Sequence, residues 1–210
     1  MNEAVRSAYL AAAFATADLL GRRELGERWD DPSVLPDFSI GALAGHLARG
    51  VLTVYWYLDM PEPDPPVVTA GAYYAAHPSG APNAEINVRV RDRGAETAKG
   101  GWARLYLDVG KAAERLADRL AAEPAEHRVS ALGHTLLIDE YLRTRIVEMA
   151  FHLDDLARSL GLPAPSLPED VTRIAIQVLV ETACVRHGDR AVLHALARRE
   201  LDTVDALRVL

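Results

Sequence analysis

The chain has very little cysteine: Cys184 stands alone among 210 residues. A single thiol excludes an intrachain disulfide and any zinc cluster built from several cysteines of one chain, so a metal site here must draw on His, Asp and Glu. Lysine is almost as scarce, with Lys99 and Lys111 the two lysines among 23 basic residues. The basic residues are outnumbered by 30 Asp and Glu, for a formal net charge of −7. An acidic balance argues against a nucleic-acid partner, which selects a basic face. No uninterrupted apolar run is long enough to span a bilayer, so no membrane partner is expected. A Gly-rich phosphate loop, a nucleophile elbow and a Ser-His-Asp order are missing as well. Alternating strand patterns are nearly absent. Half the residues are apolar and a quarter charged, the profile of a globular protein with a sizeable core. The stretch from Tyr9 to Ala15 after Arg6 resembles a signal peptide only faintly. Glu3 and Asp18 oppose that reading, and a cytoplasmic protein is expected.

What is abundant is helical spacing. It predicts helices over 3–21, 40–58, 97–122, 139–160, 168–187 and 189–200. Ser39, Asp139 and Asp189 are the expected N-caps, and Gly161 and Gly188 the expected stops. Residues 22–38, broken by Pro32 and Pro36, read as a loop. Residues 60–95, with Pro61, Pro63, Pro65, Pro66, Pro78, Gly80 and Pro82, read as a long irregular crossover. A short extended stretch is expected at 128–131, with a turn at Gly133. The class expected is all-α: a helical bundle over 1–165, with a C-terminal helical extension over 166–210 packed on the same domain.

The helix expected at 139–160 carries the chemistry. Leu142, Ile146, Met149, Leu153, Leu156 and Leu160 form one apolar seam, and Val147, Ala150 and Phe151 suggest burial nearly all round. Glu148 and His152 nonetheless lie there, one turn apart on one face, with Tyr141 and Arg145 along the same stripe. A buried carboxylate is costly unless it is paired or bound to a metal. Glu148 therefore pairs with a histidine, pairs with Arg145, or binds an ion. His46 sits mid-way along the second predicted helix, between Gly45 and Gly50, which read as leaving room around it. If the two helices are neighbours, His46, Glu148 and His152 can meet in the bundle interior. Two imidazoles and a carboxylate are the ligand set of a catalytic zinc site and also suit iron or nickel. A metal-free polar network uses the same residues. Arg145 is the candidate for anchoring Glu148 or a substrate acid. Arg143 and Asp155 read as surface residues, with Asp155 alternatively an acceptor orienting His152. Cys184 reads as inert core. Tyr55, Trp56 and Tyr57 read as packing or as a pocket mouth. His77, His127, His134 and His194 receive no role.

Two segments resemble a known family. Pro36-Asp37-Phe38-Ser39-Ile40-Gly41-Ala42-Leu43-Ala44-Gly45-His46-Leu47 is similar to one motif, and Tyr141-Leu142-x-Thr144-Arg145-x-x-Glu148-x-x-x-His152-x-x-Asp155-Leu156 to the other, of the mycothiol-dependent maleylpyruvate isomerase N-terminal family. The resemblance covers roughly residues 5–160. It implies a DinB-like four-helix bundle with additional C-terminal helices. It also implies a divalent metal, typically zinc, on His46, Glu148 and His152. Mycothiol would be the cosubstrate of a transferase or isomerase acting on a small electrophile, whose carboxylates positioned arginines hold. The expected partners are that thiol and that electrophile, with a homodimer as the general prior for assembly. The family's isomerase carries a C-terminal α/β domain with a substrate-binding arginine. Residues 161–210 read here as helices, and Arg208 has no motif supporting that role. The alternative function is a non-catalytic metal-binding helical module, a sensor or partner-binding protein.

Overall fold

The computed structural model describes residues 2–77, 85–198, 200, 207 and 209. Among them the chain forms nine helices and one hairpin, so the all-α expectation holds. The helices are α1 (Asn2–Leu20), α2 (Arg23–Glu27), α3 (Ile40–Tyr57), α4 (Ala70–Ala75), α5 (Glu85–Ala98), α6 (Trp102–Ala122), α7 (Ile138–Leu160), α8 (Glu169–His187) and α9 (Asp189–Ala197). Strands β1 (Arg128–Ala131) and β2 (His134–Leu137) pair antiparallel, with Arg128 opposite Leu137. None of these helices is long and apolar enough to cross a membrane.

Four long helices close into a ring. α1 packs on α6, α6 on α3, α3 on α7, and α7 back on α1. Their facing residues form the core: Tyr9, Leu43, Leu47, Val51, Leu116, Leu142, Ile146 and Met149 are all buried. Each such Leu or Ile contributes roughly 1.5–3 kcal/mol of burial. Outside the ring, α5 lies along α3, while α8 covers α7 and packs on α4 and α1.

Several expectations change at the element ends. The crossover over 60–95 is not irregular throughout, because it contains α4 and most of α5. Thr69 starts α4 by accepting the Ala72 amide on its hydroxyl. The helix expected at 97–122 starts only at Trp102 as α6, since Thr97 and Ala98 end α5 and the chain breaks at Gly101 (φ 78°) between the two. Residues 22–38 contain the short α2. The extended stretch at 128–131 has a partner strand the sequence reading missed. Leu132 (φ 49°) and Gly133 (φ 84°) make the left-handed turn between them.

Ser39 caps α3 as expected, accepting the Ala42 amide at 3.1 Å. Asp139 does not cap α7. The helix starts one residue earlier, straight from β2, and Asp139 instead pairs with Arg6 at 2.8 Å. Asp189 lies inside α9, whose N-cap is Gly188, and α9 ends at Ala197 rather than at 200. Gly161 closes α7 in the left-handed conformation (φ 71°), where the amide of Leu162 reaches back to the Ala157 carbonyl. Pro78, Gly80, Pro82 and Arg208 lie outside the described residues.

Candidate metal centre

Two helix contacts bring the polar residues together. Met149 of α7 packs against Gly50 of α3, where a Cβ would approach the Met149 side chain to 2.9 Å. This close approach sets His46 across from Glu148 and His152. On the other flank of α3, α5 crosses at Gly45 and Gly94, and a Cβ on Gly45 would collide with the Gly94 carbonyl and with Ala98. The glycines beside His46 thus admit helices α5 and α7. They do not leave space around the imidazole, as the sequence alone suggested.

The three expected donors converge. His46 Nε2 lies 3.4 Å from Glu148 Oε2, and His152 Nε2 lies 3.7 Å from the same oxygen. The three donor atoms fall within 4.8 Å of one another. Both separations exceed a normal hydrogen bond. They match the spacing, roughly 3.4 Å, between two donors each about 2.1 Å from one tetrahedral ion. The donor set therefore fits a divalent metal better than it fits a direct Glu–His pair. All three side chains are half-buried.

The surroundings tune each donor. Burial opposes the charge on Glu148, but the imidazoles of His152 and His46 and the Arg145 guanidinium outweigh it and hold the carboxyl well below its usual range. Its second oxygen, Oε1, accepts the Tyr74 hydroxyl at 2.8 Å. Burial lowers the pKa of His46, and its Nδ1 is buried with no hydrogen-bond partner. Burial works the same way on His152. There the carboxylates of Asp155 and Glu148 prevail and push the pKa up to about 9. Asp155 Oδ2 sits 3.1 Å from His152 Nδ1. Asp155 is therefore the orienting acceptor and not the plain surface residue that its helix position suggested.

A cavity of about 100 Å³ opens beside the donors, lined in part by Arg49, Arg93, Arg145, Tyr57, Tyr73 and Tyr141. The Tyr141 hydroxyl donates to Thr53 Oγ1 at 2.7 Å, and its ring stacks on Tyr57. The Arg145 guanidinium lies 5.1 Å over the Tyr141 ring, and its Nε donates to Thr144 Oγ1 at 3.0 Å. Burial depresses the Arg49 pKa, and the neighbouring Arg93 and Arg145 cations add to the effect. Among the described residues none of these three arginines makes an ion pair with a carboxylate.

Arg145 is thus placed where the sequence reading put it. Arg49 and Arg93 were missed. Arg49 follows His46 by three residues on one helix face, a usable signal, whereas Arg93 sits in the stretch read as crossover. Tyr74 was missed for the same reason as Arg93. Arg143 is not on a solvated face, because it bridges Glu140 (3.0 Å) and Glu181. Phe151 is 46% exposed, so α7 is not buried all round. Cys184 is only partly buried and lies against the small α8–α9 cluster with Ala183 and Val192, away from the centre.

A helical bundle that aims two imidazoles and a carboxylate at one point is the architecture of a metal-binding four-helix protein. The chain belongs to the mycothiol maleylpyruvate isomerase N-terminal domain family, which it matches over residues 9–157. Family membership points to a mycothiol-related, metal-binding DinB-like domain. No curated protein and no solved structure gives a match.

Proposed function

We propose that this protein is a divalent-metal-dependent transferase or isomerase that uses a low-molecular-weight thiol of the mycothiol type on a small electrophile. The observation that carries the proposal is the convergence of His46 Nε2, Glu148 Oε2 and His152 Nε2 beside a cavity also lined by three arginines that, among the described residues, form no ion pair with a carboxylate. His46, Glu148 and His152 would hold the metal. Zinc suits this N, O, N set best, and nickel or iron are compatible with it. When bound, such an ion favours the thiolate form of a thiol, the competent nucleophile.

The remaining work falls to the chain's own side chains. Asp155 orients the His152 ring through Nδ1. Arg145, with Arg49 and Arg93, would draw in the carboxylate of the electrophile and fix its orientation by charge-assisted hydrogen bonds. Tyr57 and Tyr141 wall the cavity. Supporting this reading are the family to which the chain belongs and the lack of a carboxylate ion pair at these arginines among the described residues.

The test is turnover by zinc-loaded protein given a thiol and a panel of electrophiles with and without a carboxylate. Thiol-dependent turnover of the acidic members is expected, and it should disappear in His152→Ala. Arg145→Met should raise KM for acidic members by about 10–150-fold, the worth of one charge-assisted interaction. A thiol-independent rate, or no turnover across the panel, contradicts the proposal. The small cavity favours one second reading, a metal-binding module without catalysis. Stoichiometric metal without any turnover would select it.

A further inference from the structure

Helix α4 sends one side chain to the centre. Tyr74 is buried, and its hydroxyl lies 2.8 Å from Glu148 Oε1 and 2.9 Å from the Thr144 carbonyl oxygen. The phenol has one proton for two acceptors. The charged carboxylate is the stronger acceptor, and the Thr144 carbonyl lies inside α7, where it already receives the backbone amide one turn on. Oε1 is thereby tied down, while Oε2 stays turned toward both imidazoles.

A helix of six residues does not hold itself in place. Both ends of α4 are clamped from outside. At its start, the Ala70 amide donates to Glu140 Oε2 at 2.6 Å. Glu140 in turn pairs with Arg143, which reaches Glu181 on α8. At its end, Arg186 of α8 donates to the carbonyls of Tyr74 and His77, adding to the amide of His77 that the Tyr74 carbonyl already accepts at 3.1 Å. Between the clamps, Gly71 lies so close to α8 that a Cβ would approach Glu181 Cβ to 2.7 Å. Helix α8, Glu169–His187, lies wholly beyond the 9–157 span shared with the family.

We infer that Tyr74 is a positioning residue for the Glu148 carboxylate, and that α8 holds Tyr74 there through Arg186. Helix α8 then completes a metal centre whose candidate donors all come from α3 and α7 among the described residues. This inference rests on the metal-binding reading above.

Cobalt(II) is the probe, added to the full-length chain. The dissociation constant comes from chelator competition and the ligand field from the visible absorption of the bound ion. Tyr74→Phe should bind about 10–100-fold more weakly, the usual effect of removing a partner of a ligand, with an altered visible spectrum. Arg186→Met should weaken binding in the same direction. Thr16→Val removes a buried hydroxyl on α1, one that donates to the Ala12 carbonyl at 2.9 Å, and should leave affinity and spectrum unchanged. Wild-type affinity and spectrum in Tyr74→Phe would overturn the inference while leaving the metal reading intact. No cobalt binding by the wild type would overturn both. Wild-type behaviour in Arg186→Met would remove the role of α8, and this variant decides the matter if Tyr74→Phe does not fold.

Discussion

The two histidines of the centre are held unequally. His152 is gripped on both sides of the ring, by Asp155 at Nδ1 and by Glu148 facing Nε2, whereas His46 Nδ1 has no partner. Orientation of the centre therefore depends on Asp155 more than on any neighbour of His46. Asp155→Ala should weaken metal affinity by about 10–100-fold and also lower the unfolding midpoint of the metal-free chain near neutral pH, because the His152 imidazolium loses the carboxylate that raises its pKa in the folded state. Chelator competition and a thermal scan measure the two effects, and an unaltered affinity would refute the role. At this scale the sequence was informative where spacing is rigid. Glu148 and His152 share a face because they are four residues apart, and Asp155 lies one turn beyond. It was silent where partners come from elsewhere in the chain. Arg143 looks solvated until α8 supplies Glu181, and nothing in the local pattern marks Tyr74 as reaching Glu148.

Helix α5 contacts its neighbour through backbone. Its crossing of α3 is made by Gly45 and Gly94, and this brings Arg93 to the cavity wall. Gly45→Ala puts a methyl group where the Gly94 carbonyl and Ala98 already lie. It should destabilise the fold by about 1–3 kcal/mol, the usual cost of overpacking, and widen the cavity. Urea unfolding gives the first effect, and an unchanged midpoint would mean that the helices are not in such close contact. The same feature explains why α5 escaped the sequence reading. A helix seated by a glycine carries no broad apolar stripe, and its Arg89, Arg91, Asp92 and Arg93 look like a solvated loop. α4 escaped because six residues show less than two turns of periodicity. The four long helices were legible because each has an apolar seam of several turns. Their ends were less so, as when β2 hands the chain to α7 and displaces the expected Asp139 cap.

The ring of α1, α3, α6 and α7 closes around residues that the metal would join, His46 from α3 with Glu148 and His152 from α7. An ion bound there cross-links two helices in the folded state alone. At a free zinc concentration of 100 times the dissociation constant it should add about 2.7 kcal/mol of stability. For a domain of this size that corresponds to a rise of roughly 5–10 °C in Tm, reversed by chelator and absent in His46→Ala. A Tm indifferent to zinc would contradict the cross-link. The all-α class was readable from pattern, whereas the pairing of the second predicted helix with the one at 139–160 stood only as a condition until the fold supplied it. The covering of α4 and α7 by α8 was not, since a helix face shows that it is apolar without showing what it meets.

The central claim, a metal on His46, Glu148 and His152, is tested most directly by elemental mass spectrometry of tag-free protein purified without chelators, with His46→Ala measured alongside. About one divalent metal per wild-type chain and essentially none in the variant is the predicted result. No metal in either protein, even after reconstitution with zinc, nickel or iron, would contradict it.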